Sequence, residues 1–514
     1  MDFSSDKVWL SKTRDLRDQT KDIRYLALSY CWGGTVIMRT LRENVHIREK
    51  YGLQVADLPA VIRDAITVAR KLKSEYLWVD SLCICQDDEQ EWEQEAALMA
   101  DIYGGSVFTI SALTSPNANV GFLGPRQRSI VPIGTIEFSG KGEEHDDGDR
   151  PLLLFIREEP QRLDNELTSG SLSQRGWPLQ ERILAPGVLH FGRDQVFWEC
   201  NEDKDTVLET GDWIRHPLRI KTNDGCRNLT VNDTRLWKNL LNNFSRRDLT
   251  VFSDRLHAIS GLAARLRKNG AFTGRYVAGL WESRLDVLLL WTMSQGRQAA
   301  TIPVEKNTRI STWSWAHINR RSCYDTSDLG GSKSSLLAPA KFQFEEDAQD
   351  LQSMCPGAVV PSCEVVLHGF VQELNRVIIP SASESFAAER KSLRDYGRFS
   401  FCDLALDDDI DGPSSCYYSI RMMDNAAEKS QSPLKWYAIK YLLLEKADSS
   451  GLEKAEGRSV YKRIGRLSLF FHRDDDSMKP YRITPDPDTH YPDIFLNEEI
   501  PLLTNGQWRE IILI

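Results

Sequence analysis

Residues 25–31 (YLALSYC), 76–84 (YLWVDSLCI) and 106–113 (SVFTISAL) are short, near-continuous apolar runs. Runs of that length, rich in β-branched and aromatic side chains, predict strands buried on both faces. Two stretches of helical periodicity separate them. In 57–74, Ile62, Ile66, Ala69 and Leu72 recur at helical spacing and Pro59 suits the first turn. In 87–103, Trp92, Ala96, Met99 and Tyr103 form one apolar stripe behind an acidic first turn, and Gly104-Gly105 ends the helix. Strand, helix, strand, helix, strand predicts an α/β domain with a parallel sheet, and such sheets place ligands at the carboxyl ends of their strands.

Downstream the pattern changes twice. The charge-dense 139–150 (SGKGEEHDDGDR) predicts a solvated insertion, and 151–159 (PLLLFIREE) a further strand. Residues 173–200 predict a short helix around LQERIL and a strand pair around VLHF and QVFWEC. Residues 232–300 read as mostly helical: LWKNLLNNFSR, DRLHAISGLAARLRK and VAGLWESRLDVLLLWTM. The polar, Ser/Gly/Asp-rich 324–350 marks a linker or long loop. Beyond it, the β-like runs CEVVLHGFVQEL, WYAIKYLLLEK, VYKRIGRLSLFF and WREIILI alternate with polar loops. The expected organisation is an α/β domain over 1–215, a helical region over 216–325 and a smaller β-rich domain over 326–514.

Composition narrows the function classes. Lys plus Arg is 64 against 74 Asp plus Glu in 514 residues, a formal charge of −10. That balance argues against a nucleic-acid coat or an anionic-membrane binder, both of which need a basic surface. Ten Cys stand at irregular spacings with no CxxC pair. This is the usage of a reducing compartment, and it gives little support to a metal site. The N-terminus has no apolar signal-like run, and LDVLLLWTM (285–293) is too short to span a bilayer. A cytoplasmic protein with no nucleic-acid or membrane partner is expected.

No GxSxG, HExxH, Walker A or GxGxxG motif is present. Two segments still put chemistry at strand ends. Ser29-Tyr30-Cys31-Trp32-Gly33-Gly34 closes the first strand, and Asp80-Ser81-Leu82-Cys83-Ile84-Cys85-Gln86-Asp87 follows the second. In a parallel sheet both fall on one edge, where Asp80, Ser29, Ser81 and Trp32 could form a single cleft. The alternative is that Ser29 and Asp80 cap helices or satisfy turn amides. Glu95 flanks the apolar stripe of its helix, facing either a cleft or water. Arg182 beside Glu181 reads as a structural ion pair or as an anion-holding fork. Cys83 is a small core residue or a nucleophile.

These segments, in this order, resemble the fungal heterokaryon incompatibility (HET) domain. The resemblance rests on Tyr25–Gly33, Leu58-Pro59 with the helix through Ala65, Tyr76–Ile84, Gln86–Asp88, Met99–Tyr103, Arg175–Arg182 and Gln195–Cys200. Later stretches, among them Ser253–Ala258, Ala278–Trp281, Thr312–Ala316 and Tyr461–Gly465, look like long-form members of that family. Pro178 and Cys85 depart from its usual residues, and only 24 residues precede the first block, which implies a shortened N-terminus. The resemblance implies an intracellular protein of non-self recognition and programmed cell death. The HET domain is in turn distantly similar to TIR domains, flavodoxin-like α/β folds, some of which cleave NAD with a helix glutamate. That similarity makes Glu95, or Asp80, the candidate catalytic carboxylate. Trp32 or Tyr30 would stack on a base, Ser29 and Ser81 would bond the ribose or phosphate, and Arg182 would neutralise the pyrophosphate. Gly33, Cys83 and Gln86 complete the expected substrate-binding set; no cofactor and no metal are expected. The rival reading is a non-catalytic module that self-associates or docks on a signalling partner.

Overall fold

The first run forms β1 (Tyr25–Ser29) and the first periodic stretch forms α1 (Ala60–Lys71). The second run makes β2 (Tyr76–Trp78), and α2 (Glu89–Gly105) and β3 (Thr109–Ser111) follow. These and the elements below belong to a computed structural model. It describes residues 6–17, 23–34, 38–126, 130–136, 152–157, 161–200, 205–208, 213–215, 234–293, 310–318, 322–324, 333–334, 336, 339–343, 363–374, 401–406, 417–426, 436–447, 459–472 and 503–514. The chain divides into two compact units, 1–225 and 226–514.

In the first unit the chain continues through α3 (Leu163–Ser169), α4 (Pro178–Leu184), β4 (Gly187–Phe191), β5 (Val196–Cys200), β6 (Asp205–Leu208) and β7 (Trp213–Arg215). One mixed sheet runs β7-β6-β5-β4-β3-β1-β2. The pairs β1–β2, β1–β3 and β3–β4 are parallel, and β4 through β7 form an antiparallel meander. The expected parallel sheet is therefore one end of a mixed one, with β2 as its edge strand.

Alternation along β1 sorts the layers. Leu26 and Leu28 join Ile110 and the buried face of α1 (Val61, Ile62, Ala65, Ile66, Ala69) on one side. Ala27 packs with Met99 and Tyr103 of α2, and with Trp78 and Trp177, on the other. Truncating a fully buried isoleucine of α1 such as Ile62 to Ala would cost about 2–5 kcal/mol. Asp88 caps α2, its carboxylate accepting the Glu91 N–H at 3.1 Å.

The second apolar run was expected to be strand through Ile84, but the strand stops at Trp78 and Asp80–Cys83 winds into a helical turn. Asp80 drives the change: its Oδ1 accepts the Ser81 N–H at 2.7 Å, a local bond that competes with a ladder.

In the second unit α5 (Thr234–Phe244) and α6 (His257–Lys268) form as their periodicity predicts. The segment 277–293 does not form the expected helix. Tyr276–Val277 and Leu280–Trp281 make a hairpin, followed by a 3-10 turn (Glu282–Arg284) and one α-helical turn (Leu285–Leu288). The turn residues Ala278 and Gly279 sit at φ 45° and 88°, the left-handed pair a tight hairpin requires. A Cβ at Gly279 would stand 2.3 Å from the Trp315 indole nitrogen, so that position takes only glycine. Trp237, Trp281, Trp291, Trp313 and Trp315 are fully buried here.

The late β-like runs are strands: β8 (Glu364–Leu374), β9 (Phe401–Leu406), β10 (Tyr417–Ala426), β11 (Trp436–Lys446), β12 (Ser459–His472) and β13 (Leu503–Leu513). The order β10-β11-β12-β13-β8, with β8 pairing back to β10, makes a barrel-like closure. The insertion 139–150 lies outside the described residues, as does most of 324–350. Among the described residues no helix is long and apolar enough to cross a membrane.

Candidate functional site

Three segments converge on the carboxyl edge of β1: the loop that follows it, the helical turn after β2, and α4. Ser29 ends β1 and its hydroxyl donates to the Glu181 carboxyl of α4. The Tyr30 hydroxyl donates to Ser81 Oγ at 2.7 Å. The Trp32 indole N–H donates to Asp80 Oδ2 at 2.7 Å, while Asp80 Oδ1 holds the Ser81 N–H. Arg175, just upstream of α4, donates through Nη1 to the Tyr30 carbonyl at 3.0 Å. The Tyr103 hydroxyl of α2 donates to the Leu28 carbonyl at 3.1 Å and stands within bonding reach of Glu181. Two carboxyls thus share one polar centre, roofed by hydroxyls and an indole and flanked by one guanidinium.

The surroundings raise the pKa of both. Burial pushes Glu181 up to about 7; the Ser29 bond opposes this, the charge of Asp80 adds to it, and Arg175 opposes it. Burial likewise pushes Asp80 up to about 6 against the Trp32 and Ser81 N–H bonds and the Arg175 charge. Desolvation is the leading cause in both cases, as for carboxyls placed in apolar pockets. Near neutral pH the centre therefore carries one carboxylate and one partly protonated acid, the arrangement that lets one group stabilise charge while its neighbour exchanges a proton.

A second network lies beside the first. Ser29, Ser111 and His190 are register neighbours across β1, β3 and β4. His190 Nδ1 lies 3.1 Å from Ser111 Oγ, and its Nε2 lies 2.9 Å from Glu199 Oε2. Arg182 grips Glu199 with both arms, Nε to Oε2 at 2.8 Å and Nη2 to Oε1 at 3.0 Å. Desolvation alone would raise the Glu199 carboxyl, but the Arg182 charge and the His190 bond hold it well below its usual value. Glu181 and Arg182 are adjacent in sequence yet serve different networks, so Arg182 is a structural ion-pair residue with Glu199. Arg182, expected at a pyrophosphate, is thus paired with Glu199, and the cation at the carboxyl centre is Arg175.

The other expected site residues fall as follows. Ser29, Tyr30, Trp32, Asp80 and Ser81 come together. Ser29 caps no helix, and Asp80 satisfies a turn amide in addition to holding Trp32. Gly33 stands at φ 82°, where a Cβ would lie 2.4 Å from Asn117 Cβ; it shapes the loop under Trp32. Gln86 is tied down by its own turn, its amide donating to the Asp80 and Ile84 carbonyls at 3.1 and 3.2 Å. The Cys83 thiol accepts the Val79 N–H at 3.4 Å, and burial pushes it up to about 12, which removes the thiolate a nucleophile needs. Glu95 is half-buried on α2. Its carboxyl is raised by burial and by Glu91, and its charge, like that of Asp80, reaches Cys83. It stands at the margin of the centre, without a bond to it among the described residues. Among those residues no cluster of His, Cys, Asp and Glu could hold a metal ion.

Sequence reasoning missed Glu181, Arg175 and Tyr103 as members of the centre. Glu181 had a usable signal: an acid on a short helix (Pro178–Leu184) flanked by Leu179, Ile183 and Leu184, which is buried at five other positions. Arg175 and Tyr103 carried none, because only the packing of α2 and α4 on β1 brings them there.

Residues 25–181, from the first residue of β1 to the Glu181 carboxyl, match the family model described as heterokaryon incompatibility protein (HET). No curated protein and no solved structure matches the chain significantly. The matched span contains every residue of the carboxyl centre, and the chain carries a HET-type domain over residues 25–181.

Proposed function

We propose that the HET domain hydrolyses the N-glycosidic bond of NAD or a related nucleotide, and that this chemistry is its output in programmed cell death. The observation that carries the reading is the Asp80–Glu181 pair, two neighbouring carboxyls with raised pKa at the carboxyl edge of a parallel sheet. The strand order β2-β1-β3-β4 supports a flavodoxin-like, TIR-like fold, since that order is the one such folds use and their ligands sit where it reverses, beside β1.

Loss of nicotinamide from NAD needs no acid, because the leaving pyridinium becomes neutral as the bond breaks. It needs a carboxylate against the positive ribose carbon and a base for water. Asp80, ionised above about 6 and oriented by Trp32 and Ser81, supplies the charge. Glu181 in its ionised form accepts the proton of the attacking water as its hydroxyl joins the anomeric carbon; nicotinamide departs with the bonding pair. Arg175 offsets the charge of the two carboxyls. Trp32, partly exposed, offers a ring face to the base.

The test is nicotinamide release from NAD by the full chain at concentrations that permit self-association, in wild type, Asp80→Asn, Glu181→Gln and Glu95→Gln. Loss of at least 100-fold in Asp80→Asn and Glu181→Gln, with Glu95→Gln near wild type, is expected. Loss only in Glu95→Gln moves the chemistry to α2. Equal inertness of all four, with cell toxicity intact, supports the docking module instead.

A further inference from the structure

A second feature of the same sheet edge lies outside the carboxyl centre. Past the carboxyl ends of β3 and β4, a cavity of about 470 Å³ opens among the loop 114–126, the end of α3 and the turn after β4. That volume falls in the range of small-molecule sites. None of Ser29, Asp80, Glu181 or Arg175 lines it.

Its walls are built rather than incidental. Asp64 of α1 clamps one side, its Oδ2 accepting the N–H groups of Phe122 and Leu123 at 2.6 and 2.9 Å. The buried Glu166 of α3 clamps the other, its Oε1 accepting the Arg193 N–H at 2.9 Å. Backbone fills the lining where side chains would not fit. A Cβ at Gly121 would stand 2.4 Å from Asp64 Oδ2, one at Gly170 2.6 Å from the Glu166 carbonyl, and one at Gly192 2.6 Å from the Phe197 ring. At Gly124, by contrast, a Cβ would meet nothing within 4 Å. Arg126, Arg193 and Glu166 are among its lining residues; the Arg193 side chain is exposed at the rim, its Nε 3.9 Å from Asp194 Oδ1. The ring of Phe122, tilted against Phe191 with ring centroids 4.4 Å apart, supplies an apolar wall.

We propose that this cavity is a binding site for a phosphate ester of metabolite size, its phosphate held by Arg126 and Arg193 and its organic part against Phe122. Guanidinium forks match phosphate oxygens, and an open α/β sheet offers ligands this edge. The site is independent of the proposed hydrolysis and would serve as a sensor or anchoring subsite.

Isothermal titration of the full chain with ribose 5-phosphate, AMP and inorganic pyrophosphate tests it, with ribose and adenosine as uncharged controls. Expected is binding of the phosphate esters and not of the uncharged controls, weakened at least tenfold by Arg126→Gln, by Arg193→Gln and by Gly124→Leu, which places a side chain where space is open. Glu181→Gln should bind as wild type does, which separates this result from failure of the hydrolase reading. Melting temperatures establish which variants fold, and Gly124→Leu stands if an arginine variant does not. The proposal is overturned if no ester binds, or if the three cavity variants leave affinity unchanged. It is equally overturned if Glu181→Gln alone abolishes binding, since the phosphate then sits at the carboxyl centre.

Discussion

Replacing Glu181 by glutamine should flatten the pH dependence of the first unit's stability. Glu181 is 6% exposed, and burial raises its carboxyl from the usual 4.5 to about 7. A carboxyl whose folded pKa is raised contributes stability that is fully present below the unfolded value and is lost as pH rises through the folded one. Between pH 5 and pH 8 that loss integrates to about 2.5 kcal/mol for Glu181 alone. Asp80, raised from 3.8 to about 6, sheds about 1 kcal/mol over the same window. Glutamine keeps the shape, and its amide oxygen can still accept the Ser29 hydroxyl, so Glu181→Gln removes the larger share of the slope without opening a cavity. The assay is amide hydrogen exchange of peptides covering β1 and α4 in the full chain, with intrinsic exchange rates divided out, from pH 5 to pH 8. Wild type should lose roughly 2–3 kcal/mol more opening free energy across the window than Glu181→Gln. Parallel slopes, within about 0.5 kcal/mol, would refute the claim that Glu181 is buried with a retained proton.

Three further outcomes follow from the same geometry. Ser29→Ala removes the hydroxyl that bonds Glu181, and should cost about 1–2 kcal/mol and move the Glu181 titration upward, read by the same exchange experiment. Trp32→Phe keeps the ring but leaves Asp80 Oδ2 without its 2.7 Å indole donor; it should raise the Asp80 pKa and lower turnover about tenfold or more with little change in nucleotide affinity, and an unchanged pH profile would count against that role. Glu199→Ala leaves Arg182 and His190 around an emptied, buried position, and should destabilise the first unit by about 3–5 kcal/mol in urea denaturation, whereas an effect under about 1 kcal/mol would show that the pair is not buried as described.

Legibility in the sequence followed the range of the interactions. Strands β1 to β3 and helices α1 and α2 were readable because each is a local pattern: Leu26 and Leu28 alternate with Ala27, and Ile62, Ile66 and Ala69 share a helix face. The helical turn Asp80–Cys83 hid inside an apolar run, since the deciding bond from Asp80 to Ser81 is not an apolar signal. The hairpin at 276–281 hid in the same way, because Ala278-Gly279 carries the turn while the flanking residues suit a helix equally well. The first half of the site was visible as polar residues at strand ends. Its other half was not, because Glu181 reaches Ser29 across 152 positions of chain and Arg175 reaches the Tyr30 carbonyl across 145. Arg182 is the reverse case, a residue whose charge suggested a ligand and whose ion-pair partner, Glu199, lies on a strand read separately.

The most direct measurement is a crystal structure of the Glu181→Gln variant with uncleaved NAD. The account expects the nicotinamide ribose at the centre, its anomeric carbon within about 3.5 Å of an Asp80 carboxyl oxygen, and the nicotinamide ring against Trp32. A nucleotide seated beside Glu95 with Asp80 and residue 181 untouched, or no nucleotide on the β1 edge at saturating concentration, would contradict it.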